Sequence, residues 1–245
     1  MCPQGYLLSQ AKIAIVAAIE REVWPLVKEW PRTETNFAGR SYKFFEREDR
    51  VVVCGGIGAQ AARRATEAII ELYRPALVIS AGFAGGLDPA LVTGDALRPR
   101  HILNGGDGSR TDAGIGEGLL VSFPHVAGPE QKAKLRQAYG AQAVDMEAAA
   151  VAQSAQAHGV KFMACKVIFD PSGAALAPFE QFVGDDGEFR VLRFLSYVAV
   201  RPWLWGKVER WASEAAKAAT NLCAVLAQMS STKPVEGAEF QTIPI

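Results

Sequence analysis

Three features of the sequence predict an α/β fold with a largely parallel sheet. Near-continuous apolar runs of strand length recur along the chain, amphipathic segments of helix length separate them, and glycine clusters stand where several of the runs end. The run from Lys161 to Phe169 shows the first feature most clearly, because such continuity suits a strand covered on both faces. The 245 residues, 49% of them hydrophobic, suffice for a large core. No internal repeat, low-complexity run or break in composition divides the chain, so a single domain over residues 1–245 is expected.

Taken in order, Lys12 to Ile19 reads as a buried first strand. It is followed by a helix from about Glu20 to Trp30, with Val23, Leu26, Val27 and Trp30 on one face. Tyr42–Phe45 and Val51–Cys54 flank the charged turn Glu46–Arg50 as a hairpin, and the second strand runs into Gly55-Gly56-Ile57-Gly58. A helix from about Ala59 to Tyr73 leads to a buried strand, Ala76–Ser80. That strand enters Ala81–Leu87, read as a turn whose glycines let backbone approach a ligand. Asp95–Leu103 and Leu119–Phe123 read as strands. Between them Asn104–Gly118, with six glycines in fifteen residues, is expected to be a mobile loop over the site.

Pro129 opens a helix that ends near Tyr139-Gly140. Six alanines and two glutamines between Met146 and His158 predict another, stopped by His158-Gly159. The tail, Phe189 to Met229, reads as two helices separated near Arg201-Pro202. Phe194, Leu195, Tyr197, Trp203, Leu204, Trp205 and Trp211 cluster in its first half. The favoured reading is packing on the sheet or on a second subunit. The functional alternative is a surface over 194–211 that receives an apolar substrate or touches a membrane.

Composition narrows the function. Lys plus Arg equals Asp plus Glu at 26 each, so no net field recommends nucleic acid or an anionic membrane as partner. The four cysteines are far apart and without metal spacing, which suits a reducing cytoplasm, and no targeting signal is visible. His101, His125 and His158 show no ligand spacing, so no metal is expected. No G-x-S-x-G elbow is present. Gly56 to Ala61 fits G-x-G-x-x-A after a strand, but the acid expected after the next strand is missing, since that segment reads Leu77 to Gly82. The glycines keep two readings: backbone N–H groups for phosphate or another oxyanion, or a tight strand-to-helix turn.

Chemistry then falls mainly to carboxylates at the carboxyl ends of strands, where ligands collect in open α/β sheets. Glu22 follows the first strand, Glu147 stands near a helix start, and Asp170 lies where the Lys161–Phe169 run ends. Singly, each also fits a bland role in a helix start or a turn. Three acids in comparable places shift the balance toward a site.

These residues resemble a known superfamily. Ile19-Glu20-Arg21-Glu22-Val23, Gly56-Ile57-Gly58, Ser80–Leu87, Val144-Asp145-Met146-Glu147 and Phe169-Asp170 look like the ordered signature of the nucleoside phosphorylases and methylthioadenosine/S-adenosylhomocysteine nucleosidases. Asp170–Ala177 and Arg201–Trp211 are further similar to the hopanoid-associated phosphorylase branch. The resemblance implies a three-layer α/β domain on a mixed central sheet, assembled as homodimers or larger homo-oligomers. It implies cleavage of the N-glycosidic bond of a purine nucleoside with no cofactor beyond inorganic phosphate as a candidate co-substrate. Asp170 would donate a proton toward the purine N7, Glu147 would bind the ribose 2′- and 3′-hydroxyls with Met146 against the sugar, and Glu22 would activate water. Val126, ahead of Gly128, would offer backbone contacts to the base, with His125 nearby.

The chain also departs from the pattern. The nucleosidases usually have Ser before the acid, where Phe169 stands here, and a small polar residue in the place of Phe83. Both changes make the base pocket more apolar. The arginines that hold phosphate in many phosphorylases have no clear match, whereas Gly56, Gly58, Gly82 and Gly85 could bind phosphate through backbone, so the nucleophile stays open. The leading expectation is an enzyme acting on a 5′-substituted adenosine. Its competitors are a non-catalytic nucleoside-binding protein that retains the pocket and a dinucleotide-dependent enzyme.

Overall fold

The structure of the protein, a computed structural model, describes residues 12–173, 179–182, 184, 190, 193–194, 197–198, 201, 203 and 205–229. One mixed sheet organises it. Strand β1 (Ile13–Ala17) lies between β4 (Arg50–Cys54) and β5 (Leu77–Gly86), parallel to both. On the far side of β4 an antiparallel meander adds β3 (Arg40–Arg47) and β2 (Arg32–Phe37). β5 is the hub: its first half joins β1, its other edge is taken by β11 (Lys161–Asp170), and its last two residues meet β10 (Ala143–Asp145). The order continues through β9 (Leu119–Ser122), β7 (His101–Asn104) and β8 (Arg110–Asp112), while the short β6 (Ala96–Leu97) pairs with β11.

The period-two alternation of buried strands splits the core into two layers of contact. Ala14, Val16, Val51, Val53 and Val78 pack against helices α2 (Ala59–Tyr73) and α4 (Ala148–Ala157). Ile13, Ile15, Val52, Ile79, Met163 and Cys165 pack on the opposite face, against Val23 and Val27 of α1 (Glu20–Val27) and Ala218, Leu222 and Leu226 of α5 (Trp205–Gln228). The spacing of those three α5 residues is the apolar stripe of a helix lying on a sheet. A third cluster joins Leu103, Val121 and Val144 to Leu135 of α3 (Pro129–Tyr139). The predicted α/β class with helices on both faces of a mixed sheet is therefore the observed one.

Several local expectations need correction. The glycine segment Ala81–Leu87 is not a turn: β5 continues as strand through Gly86, because β11 pairs with it as far as Gly85. Asp95–Leu103 is two strands, not one, with Pro99 between them; proline has no N–H to give a ladder. Asn104–Gly118 is not an open loop, since β8 pairs with β7 inside it and Gly116 sits so close to Arg98 that a Cβ would meet its carbonyl oxygen at 2.0 Å. Helix α1 stops at Val27 rather than Trp30, and contains Pro25. β2 was not foreseen, because Arg32–Phe37 is polar and mostly exposed.

Of the expected tail helices, α5 is described from Trp205. Most of the segment before it, including Leu195 and Leu204, lies outside the described residues. Phe182 packs edge-on against Phe194 and Tyr197, while Trp203 and Trp205 are exposed. Among the described residues no helix is long and apolar enough to cross a membrane.

Candidate active site

Glu22 enters the third position of α1, immediately after β1, and turns back on its own helix start. One carboxylate oxygen accepts the amides of Ala18 at 3.0 Å and Ile19 at 3.1 Å, and the other accepts the amide of Phe83 at 3.0 Å. This satisfies helix-start donors as in half of a capping box and ties α1 to β5. Burial raises the carboxyl above its ordinary pKa, against the pull of the three amides and Lys166. Gly82 leaves the room: a Cβ there would lie 3.0 Å from the carboxylate.

Glu147 is the N-cap of α4 rather than a member of its first turn. Its Oε1 accepts the Gly58 amide at 2.8 Å. Gly58 caps α2 with φ +96°, a conformation in which a side chain would be strained. The Gly56 amide donates to the Ala18 carbonyl at 2.9 Å. Two of the four glycine amides expected to hold phosphate, those of Gly56 and Gly58, are thus engaged within the protein. Burial, and then the neighbouring Asp145, raise the Glu147 carboxyl to about 7. Met146 is half-buried beside it.

Two buried lysines, neither singled out from the sequence, organise these acids. Lys166 lies in the middle of β11 and donates to Asp145 Oδ2 at 2.8 Å, with side chains 1% and 0% exposed. Asp145 also accepts the Ser122 hydroxyl at 2.6 Å and the Ala148 amide at 2.8 Å, so it pins the start of α4 to β9 and β11. The Lys166 ammonium is held charged by Asp145, Glu147 and Glu22 together, overcoming its burial. One cation thus sits among three carboxylates. The sequence signal was available: a lysine inside the apolar run Phe162–Phe169 has no reason to be there unless it is paired.

Lys132, in the first turns of α3, reaches the carboxyl end of β11. Its Nζ donates to Asp170 Oδ2, to the Asp170 carbonyl at 3.0 Å and to the Pro171 carbonyl at 2.9 Å. Asp170 stands where a bulge shifts the register of β11 on β5. Burial raises its carboxyl to about 6, and the Lys132 charge and hydrogen bond pull it down. No sequence signal marked Lys132, which sits in a polar helix and reads as a solvated residue.

The remaining expected residues take these places. The rings of Phe83 and Phe169 stack with centroids 5.5 Å apart and planes 17° from parallel, an apolar plate between β5 and β11 beside Asp170. His125 is exposed and meets Phe123 edge-on at 6.1 Å, and Val126 is half-buried next to it. Gly85 faces the Lys132–Asp170 pair: a Cβ would come within 3.0 Å of Lys132 Cε and 3.3 Å of Asp170 Oδ1. The structure therefore gathers Glu22 and Glu147 around Lys166, and brings Asp170 and the phenylalanines to the same strand, β5. No group of three or more metal-ligating side chains occurs among the described residues. Chemically, the arrangement offers three carboxyls with raised proton affinity, one of them paired directly with a buried ammonium, and an apolar wall.

The chain has similar proteins both in sequence and in fold. The chain is 28% identical over 212 residues to the 5′-methylthioadenosine/S-adenosylhomocysteine nucleosidase of Staphylococcus epidermidis, covering 70% of this chain and 92% of that enzyme. The enzyme of the same name from Tolumonas auensis is also 28% identical, over 214 residues. In fold, the chain is similar to the Neisseria meningitidis nucleosidase in complex with methylthio-immucillin-A, with TM-score 0.66 and 21% identity over 88% of this chain and 96% of that one. It is likewise similar to the futalosine hydrolase of Helicobacter pylori, with TM-score 0.63 and 19% identity over 90% and 99%. The family profile described as the phosphorylase superfamily matches residues 12–138 and 126–190, more than half of the sequence, and the chain belongs to that superfamily.

Proposed function

We propose that this protein hydrolyses the N-glycosidic bond of a purine nucleoside, an adenosine with an apolar 5′ substituent, and releases the free base. The observation that carries this reading is the convergence on β5 of Glu22, held by three backbone amides, and Asp170, a carboxyl raised to about 6 by burial. Such a bond breaks through an oxocarbenium-like sugar, so the protein must assist base departure on one side and guide a nucleophile on the other. Asp170 assists the base. Glu22, whose proton affinity burial increases, takes the proton of the attacking water. Glu147 receives the ribose hydroxyls, exchanging its contact with Gly58 for them.

Water is favoured over phosphate by where the glycine amides go. The Gly56 amide is bonded to a carbonyl, the Gly58 and Phe83 amides are bonded to carboxylates, and a phosphate placed there would face Glu147 and Glu22. The Phe83–Phe169 plate supports an apolar group on the substrate, as does the similarity of Asp170–Ala177 and Arg201–Trp211 to the hopanoid-associated branch. The relatives named as nucleosidases support adenine as the base.

The test is release of free base from a panel of 5′-substituted adenosines and plain purine nucleosides, with and without phosphate, with the sugar product identified. Release without phosphate, fastest for apolar 5′ groups, is expected. Release only with phosphate, giving a sugar 1-phosphate, would replace hydrolysis by phosphorolysis. Nucleoside binding with no base released over hours would make the chain a non-catalytic binding protein.

A further inference from the structure

In such a reaction Asp170 faces a difficulty. An acid that protonates a departing base must carry a proton, yet Asp170 is ion-paired with Lys132, and that contact favours the ionised carboxylate. The pair is shut away, with side chains 2% and 8% exposed, and the ammonium has three acceptors for its three protons: Asp170 Oδ2 and the carbonyls of Asp170 and Pro171. Of the elements packed around Asp170, α3 presents Lys132, α5 presents the negative charge of Glu214 at longer range, and β5 presents only glycine at the contact, Gly85. Lys132 is therefore the group in direct contact that can supply a proton.

We propose that Lys132 is a positioning residue that acts through Asp170 as its proton reservoir: the buried pair shares one transferable proton, which reaches the leaving base by way of the carboxyl. The inference rests on the proposed glycosidic cleavage. As the C1′–N9 bond breaks, its electron pair passes into the purine, N7 takes a proton from Asp170, and Asp170 takes one from Lys132. Lys132 is left as a neutral amine and Asp170 as a carboxylate. The attacking water gives its oxygen to C1′ and one proton to Glu22, and exchange with solvent returns Glu22 and Lys132 to their starting states. The two carbonyl contacts hold the ammonium in place while the carboxyl moves between it and the base. Stability alone is a poor reason for the arrangement, because a buried ion pair seldom outperforms apolar residues of the same volume.

The test compares Lys132→Arg and Lys132→Met with the wild-type protein on two substrates. One is a nucleoside that the wild type cleaves. The other is p-nitrophenyl riboside, whose leaving group departs as an anion and needs no proton. Arginine keeps the charge and the donors but does not surrender a proton. Lys132→Arg should therefore lose about 100-fold or more in kcat on the nucleoside, with KM held, and change little on the nitrophenyl substrate. In Lys132→Met the carboxyl alone carries the proton, so the alkaline limb of the nucleoside pH profile should move to lower pH.

Wild-type kcat in Lys132→Arg, or equal losses on both substrates, would reduce Lys132 to a structural anchor and overturn the inference while leaving the proposed activity standing. Wild-type protein that releases no base from any nucleoside would overturn both. Circular dichroism and melting verify folding, and if Lys132→Met does not fold, the leaving-group comparison in Lys132→Arg decides alone.

Discussion

Lys166–Asp145 and Lys132–Asp170 are the same chemical pair in two settings. In the first, both oxygens of Asp145 are used, by Ser122 on one side and by Ala148 and Lys166 on the other, and neither residue reaches the surface. In the second, the ammonium is saturated by Asp170 and two carbonyls, while Asp170 Oδ1 lies against Gly85 at the open end of a strand. The difference teaches that burial alone does not set a carboxylate's role: Asp145 is spent on holding α4, β9 and β11 together, whereas Asp170 turns one oxygen toward the bare backbone of Gly85.

Breaking the Lys166–Asp145 pair should give the largest effect. Lys166→Met strands Asp145 in the sheet and should cost about 3–5 kcal/mol of stability, read from urea unfolding. A loss below about 1 kcal/mol would show that the pair does not hold α4 to the sheet. Asp170→Asn attacks the other pair and should lower kcat by about 100- to 10,000-fold. Its stability cost should be smaller than that of Lys166→Met, because the carbonyls still receive the Lys132 ammonium; equal costs would erase the contrast.

Ser122→Ala tests the surroundings of Asp145. It removes a donor to Asp145 and leaves the Ala149 amide without the hydroxyl oxygen at 2.9 Å, for about 1–3 kcal/mol, with kcat of the folded protein nearly unchanged. The smallest effect on stability is expected at Glu147. Its carboxyl is raised from 4.5 to about 7, so between those values the folded protein holds a proton that the unfolded chain has released, and stability falls as pH rises. Glu147→Gln should therefore raise the melting temperature by about 2–4 °C at pH 8 and by much less at pH 5, while impairing turnover. An equal rise at both pH values would mean that ionisation is not the cause.

Much of this was legible in the sequence, for identifiable reasons. Apolar runs of strand length fixed the places of β1, β4, β5 and β11, and so put Glu22 and Asp170 at strand ends. The misreadings came from residues whose neighbours overrule their local preference. Ala81–Gly86 carries a turn composition, yet the edge of β11 makes it strand. Arg32–Phe37 carries no apolar signal, yet its register with Arg40–Phe45 makes it β2. Lys132 was invisible because a polar helix hides one buried lysine among several exposed ones; only the chain's return at Asp170 explains it.

The glycines of β5 have a consequence for how the site comes apart. Gly82 and Gly85 leave room for Glu22 and for the Lys132–Asp170 pair, and each costs the isolated strand about 0.5–1 kcal/mol in conformational entropy. The hub strand is therefore weak in itself and ordered by what surrounds it: β1, β11 and β10 on its edges. Such a segment has little tendency to fray alone. Amide hydrogens of Ile79 to Ala84 should exchange with solvent only as fast as the whole sheet opens, so that loss of the site and loss of the fold are one event.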